Sequence, residues 1–157
     1  RAADMAGRVR VQAEPFDAAA EARALIAGRT DVGAVVTFVG LCRDEGGTLA
    51  ALELEHYPGM AEEEISRVME EACARWPLMG ATAIHRHGRI APGEEIVMVV
   101  AASAHRAAAF AAAEFLMDYL KTRAPFWKKE HRRDGTSGDW VEAKADDDAA
   151  AERWAGR

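Results

Sequence analysis

The stretch from His105 to Glu130, HRAAAFAAAEFLMDYLKTRAPFWKKE, limits what this chain can fold into more than any other. Ala109, Phe110, Ala113, Leu116, Met117 and Leu120 recur every three or four residues, which lays an apolar stripe along a helix and predicts that the helix is long and buried. Pro125 stops it, because the ring biases Ala124 toward extended geometry and the proline nitrogen has no hydrogen to donate. The chain must turn there. Lys121 and Arg123 precede the turn, Lys128 and Lys129 follow it, and His105 and Arg106 sit at the far end of the helix. Acidic residues outnumber basic ones, 26 to 20, so a local run of cations calls for a reason.

The 157 residues suffice for one domain with its own core and hardly for two, so a single compact domain is expected over 1–157, with its core at about 8–154. Half of the residues are hydrophobic and 29% are charged, a balance that predicts folding rather than disorder. A net charge of −6 argues against a general nucleic-acid or anionic-membrane surface, so any anion must be met locally. No apolar run approaches the roughly 20 residues that span a bilayer, and RAADMAGRVRVQ has no signal-peptide core, so a cytoplasmic location is expected. Cys42 and Cys73 stand far apart with no CxxC, which suits a reducing compartment and the role of small buried hydrophobes. Arg43 beside Cys42 would favour the thiolate.

Along the chain, Arg8 to Glu14 reads as a short strand, and Asp17 as the cap of a helix running to about Ala27 and closed by Gly28. AVVTFV, Ala34 to Val39, reads as a largely buried strand that delivers Gly40-Leu41-Cys42-Arg43 to a loop. Asp44 to Gly47 has turn composition and Thr48 to His56 alternates, so a hairpin is expected. Met60 to Trp76 carries Ile65, Val68, Met69, Ala72 and Trp76 at helical spacing, with acids in its first turn. Ala81 to Ile90 and Glu95 to Ser103 read as strands joined across Ala91-Pro92-Gly93-Glu94, with Ser103 a candidate cap for the long helix. Beyond Pro125, Phe126 to Arg132 and Trp140 to Ala143 suggest a terminal hairpin, and the tail from Lys144 a weak helix or frayed end. Helices mixed with adjacent strands point to an α+β domain. There is no G-x-G-x-x-G and no P-loop motif.

Lys121 and Lys128 read either as solvated lysines flanking a helix end or as a pair that the reversal at Pro125 brings together. In the second reading, mutual repulsion and partial burial lower a lysine pKa toward neutrality, where the amine is a nucleophile or base. The lysine that stays charged holds a phosphate or a developing oxyanion. His105 and Arg106 stand where a helix begins and backbone N–H groups welcome an anion, and Arg43 lies in a loop behind Gly40. His85-Arg86-His87 puts two histidines on one face of a strand without an evident third ligand, so a paired surface histidine is expected rather than a metal site. The four tryptophans read as core or interface anchors, since no basic stripe accompanies them.

Taken together, GAVVTFVGLCRDEGG, ELEHYPGMAEEE, HRHGRIAPGEEIVMVV, HRAAAFAAAEFLMDYLKTRAPFWKKE and GDWVEAK resemble the large, catalytic subunit family of molybdopterin synthase, over roughly Arg8 to Trp154. The resemblance implies an α/β-hammerhead region with an additional antiparallel β subdomain, and a homodimer. It implies that each protomer takes one small ubiquitin-like sulfur carrier, whose C-terminal Gly-Gly tail bears a thiocarboxylate. The activity implied is transfer of two sulfurs onto cyclic pyranopterin monophosphate (precursor Z), making the dithiolene of molybdopterin, with no cofactor and no metal because the dithiolene precedes molybdenum. By motif, Lys121 and Lys128 match the family's catalytic lysines, and Arg43, His105 and Arg106 match its anion pocket for the substrate phosphate. Lys144 stands where WVEA is commonly followed by arginine, so a cation is kept without bidentate contact. Cys42 and the short loop from Asp44 to Gly47 depart from the pattern. Two rival readings stand beside this one: a non-catalytic small-anion or partner-binding domain, and a nucleic-acid binder around Arg123 to Arg133.

Overall fold

The computed structural model describes residues 7–142 and 152–155. The elements run β1 (Arg8–Gln12), α1 (Ala18–Ile26), β2 (Ala34–Leu41), β3 (Leu49–His56), α2 (Met60–Arg75), β4 (Leu78–Arg86), β5 (Gly88–Ile90), β6 (Glu95–Ser103), α3 (Arg106–Arg123) and β7 (Phe126–Arg132). A four-stranded sheet has the order β1-β4-β6-β2, with β1 parallel to β4 and the other pairs antiparallel. A three-stranded antiparallel sheet has the order β5-β3-β7. The fold is α+β, as the mixed order of elements predicts.

α2 and α3 cover one face of the four-stranded sheet, where Val97, Val99 and Ala101 of β6 meet Ile65 and Val68 of α2 and Phe115, Leu116 and Leu120 of α3. α1 covers the other face, over Ile84, Met98 and Val100. β4 and β6 are buried on both sides and accordingly read as continuous apolar runs. Asp17 caps α1 by accepting from the Ala20 N–H at 3.0 Å, as its position before the helix predicts.

The long helix is present, but Phe110 is not in its stripe: it is 62% exposed, and the buried row runs through Ala109, Ala112, Ala113, Phe115, Leu116, Tyr119 and Leu120. Ser103 does not cap it; the Ser103 hydroxyl donates to the Pro77 carbonyl at 3.0 Å, and His105 takes the capping position without a side-chain bond. β2 is an edge strand with no fully buried residue, not the largely buried strand expected. It does not form a hairpin with β3 either. β2 joins β6 in one sheet while β3 pairs with β5 and β7 in the other, so the turn at residues 44–47 passes the chain between sheets. The strand expected from Ala81 to Ile90 is likewise divided: Gly88, at φ 91°, breaks it and sends β5 to the second sheet. Lys128 and Val141 bridge where a terminal hairpin was expected, and the predicted weak helix from Lys144 lies largely outside the described residues.

Candidate active site

Phe126 leaves the turn after Pro125 and enters β7, whose side chains then alternate between two faces. Phe126, Lys128 and Glu130 point toward a cavity of about 390 Å³, together with Leu52 and Leu54 from β3. Trp127, Lys129 and His131 face the other way: Trp127 lines a separate surface hollow with Tyr57 and Trp140, Lys129 lies 5.6 Å over the Trp140 ring, and His131 meets Glu53 at 2.7 Å. Lys121, from the last turn of α3, lines the same cavity as Lys128. The reversal at Pro125 thus puts both amines on one hollow.

Arg43 reaches the cavity from the loop after β2, where it pairs with Glu45 at 3.1 Å and both side chains are well exposed. Two local features steer it. A Cβ on Gly40 would come within 2.8 Å of the Val97 side chain, so only glycine lets β2 lie this close to β6. Between Gly40 and Leu41 the register with β6 slips, a bulge that turns the strand end toward the cavity.

His105 and Arg106 lie elsewhere. They begin α3, and 1.5 Å of rise per residue puts them about 22 Å along the helix from Lys121. One copy of the chain therefore does not unite them with the lysines. Lys144 falls outside the described residues.

Cys42 also lines the cavity, yet it is only 3% exposed and its Sγ lies 3.8 Å from the Ile90 carbonyl. Burial, reinforced by Glu94, pushes its thiol up rather than toward the thiolate that a neighbouring arginine would favour. Arg43 points away to Glu45, so the cation next in sequence does not serve the sulfur.

The residue that sequence reasoning missed is His85. Expected at the surface, it is 7% exposed, lines the cavity, and stacks on Phe126 with ring centroids 3.9 Å apart and planes 14° from parallel. Its Nδ1 lies 2.8 Å from the Arg86 carbonyl, which makes Nδ1 the protonated nitrogen. Burial holds its pKa down at about 4, and the charge of Lys121 adds to the effect. His56 lies on the Phe126 ring at 5.7 Å and against His87 at 4.5 Å, and burial lowers its pKa as well. The signal that could have found His85 was its place in an unbroken apolar strand, LMGATAIHR, where the inward position admits no solvated side chain.

The basic residues between Arg123 and Arg133 are mostly engaged within the fold. Arg123 lies 3.6 Å from Glu71 and 4.2 Å over the Tyr119 ring, and Arg133 bonds Asp44 at 2.9 Å.

A family profile described as MoaE protein matches residues 11–123. The chain belongs to the MoaE family. A Mesorhizobium japonicum protein named molybdopterin synthase catalytic subunit is 70% identical over 150 residues, covering 96% of this chain and 94% of that one. Among solved structures, the MoaE protein from Burkholderia ambifaria superposes with a TM-score of 0.83 at 47% identity, covering 96% of this chain and 99% of its own. A complex of subunits 1 and 2 of molybdopterin-converting factor from Helicobacter pylori shares the fold, with a TM-score of 0.68 at 19% identity over 89% of this chain and 91% of that one. The MoaE match ends at Arg123, so β7, which carries Lys128, is covered by the relatives rather than by the profile.

Proposed function

We propose that this chain is the catalytic subunit of a molybdopterin synthase, a sulfurtransferase of molybdenum cofactor biosynthesis that converts cyclic pyranopterin monophosphate to molybdopterin. The observation that carries this reading is the placement of Lys121 and Lys128 on one cavity beside Arg43, in a chain 70% identical to a protein bearing that name. In each of two rounds the thiocarboxylate sulfur of a small carrier protein forms a C–S bond at a pterin side-chain carbon while a C–O bond at that carbon breaks, the oxygen leaving on the ring-opened phosphate or as water. Water then cleaves the carrier's acyl–sulfur bond, leaving the sulfur on the pterin and releasing the carrier as a carboxylate. Lys121 positions or transiently bonds the substrate or the carrier tail; Lys128 assists proton transfer and holds developing charge. The thiol of Cys42, buried and raised, takes no part as a nucleophile.

The phosphate site is completed by a second copy. Arg43 lies at the cavity, whereas His105 and Arg106 are at the other end of α3, about a turn from exposed Phe110 and just beyond Ser103, which pairs with the Ala34 end of β2, the edge strand that carries exposed Phe38. A homodimer formed across that apolar edge brings one protomer's His105 and Arg106 toward its partner's lysines and removes an unpaired strand edge from water. The carrier's extended Gly-Gly tail enters the cavity, where residues without side chains pass most easily.

The deciding experiment mixes the purified protein, thiocarboxylated carrier and precursor Z and measures dithiolene formation. Lys121→Ala lowers the rate by roughly a hundredfold or more while the carrier still docks. Absence of product from the parent protein, under conditions where a related synthase turns over, overturns the reading and leaves the non-catalytic binding domain.

A further inference from the structure

The cavity is lined by cations and carboxylates: Arg43, Lys121 and Lys128 on one side of the ledger of charge, Glu45, Glu130 and Glu142 on the other. Among the ionisable side chains on its wall, the imidazole of His85 is the neutral acceptor. The Nδ1–H of His85 is committed to the Arg86 carbonyl at 2.8 Å, and no buried side-chain nitrogen or oxygen among the described residues lacks a partner. Nε2, with no hydrogen bond of its own among those residues, is therefore the edge of the ring that opens to the cavity. The ring cannot swing away. It is clamped flat on Phe126, which lies on the segment joining Lys121 to Lys128, and that ring has His56 on it as well.

We propose that His85 is a positioning residue for Lys121: its Nε2 lone pair accepts a hydrogen bond from the Lys121 amine in the cavity and holds that amine toward the reacting centre. The inference rests on the synthase reading above and adds to it a role for a residue that the lysine motif does not include. A neutral acceptor suits this work better than a carboxylate. Glu130 or Glu142 would hold Lys121 in a tight ion pair, whereas a neutral imidazole orients one N–H without adding a charge of its own. His85 remains neutral for the purpose because burial, and the charges of Lys121 on α3, His56 on β3 and His87 beyond β4, all oppose its protonation; Lys128 and Glu130 reach the same cavity from β7, and the Arg86 carbonyl favours the protonated ring without overcoming them.

Two variants separate acceptor from packing. His85→Phe keeps a flat ring on Phe126 and loses the lone pair; His85→Gln keeps an acceptor near the Nε2 position. In the reconstituted synthase, with the parent protein turning over as control, His85→Phe should lower kcat at least tenfold with KM for the pterin within about threefold, move the acidic limb of the kcat–pH profile, and leave carrier affinity unchanged, whereas His85→Gln should recover most of the rate. A His85→Phe enzyme that keeps more than a third of the parent kcat overturns the proposal, as does a His85→Gln enzyme equally impaired. Should His85→Phe not fold, nitrogen NMR of the otherwise native protein decides: the His85 Nε2 resonance shifts on Lys121→Ala if the bond exists, and an unmoved resonance overturns it. That last measurement needs no turnover, so it can fail independently of the synthase reading.

Discussion

Burial keeps the His85 imidazole neutral and thereby ties the stability of the chain to pH. Its pKa is about 4 in the folded protein, against the ordinary 6.5 that it regains on unfolding, so below 6.5 the unfolded chain takes up a proton that the folded one refuses. The contribution is full above pH 6.5 and is lost as pH falls toward 4, on the order of 3 kcal/mol for a group this buried. His56, also lowered, acts in the same direction. Urea unfolding midpoints should fall between pH 7 and pH 4.5, and His85→Phe should flatten that slope. Cys42 gives a second expectation: with its thiol buried and raised, alkylation by iodoacetamide at neutral pH should run more than about tenfold slower than for an unfolded control. At this scale the sequence spoke unevenly. Lys121, Lys128 and Arg43 were legible because a proline and a glycine mark the bends that turn them inward. His85 was not, since two histidines on one face of a strand look alike until one knows that β4 ends at Arg86 and leaves His87 outside it.

The elements were legible to the extent that their signal is local. α3 announces itself by period and by Pro125, and α1 by Asp17; pairing between strands does not announce itself, because the residues that decide it are far apart in sequence. β3 finds β7 across seventy residues or more, and the adjacency of β2 and β3 in the chain misled for that reason. Phe110 was misplaced on α3 because the buried row passes from Ala109 to Ala112 and Ala113, leaving position 110 on the outer side of the helix. What holds α3 in place is the aromatic cluster on its middle turns: Phe115, fully buried, meets Trp76 edge-on at 5.2 Å and Trp154 at 5.7 Å, and Arg75 lies 4.8 Å over its ring while bonding the Trp154 carbonyl at 3.0 Å. Phe115→Ala should therefore cost about 3–5 kcal/mol in denaturant unfolding, with loss of Trp154 from its contact visible as a shift in tryptophan emission.

For the whole molecule, the separation of His105 and Arg106 from the lysines makes a testable statement about assembly. Lys121→Ala and Arg106→Ala proteins, each inactive alone, should regain activity when unfolded together and refolded as a mixture, approaching about a quarter of the parent's sites if partners assort at random. No recovery would mean that each pocket is built from one chain. Phe38→Glu, at the exposed edge of β2, should release monomers in sedimentation without unfolding the chain. The alternation of side chains along β7 carries a consequence of its own. Exchanging one residue for another there alters a single wall position, but removing one residue between Pro125 and Lys128 inverts every later side chain, presenting the Lys129 amine to the cavity and Lys128 to bulk water. A reading frame of two is thus built into the cavity wall, which tolerates a change of letter better than a change of count.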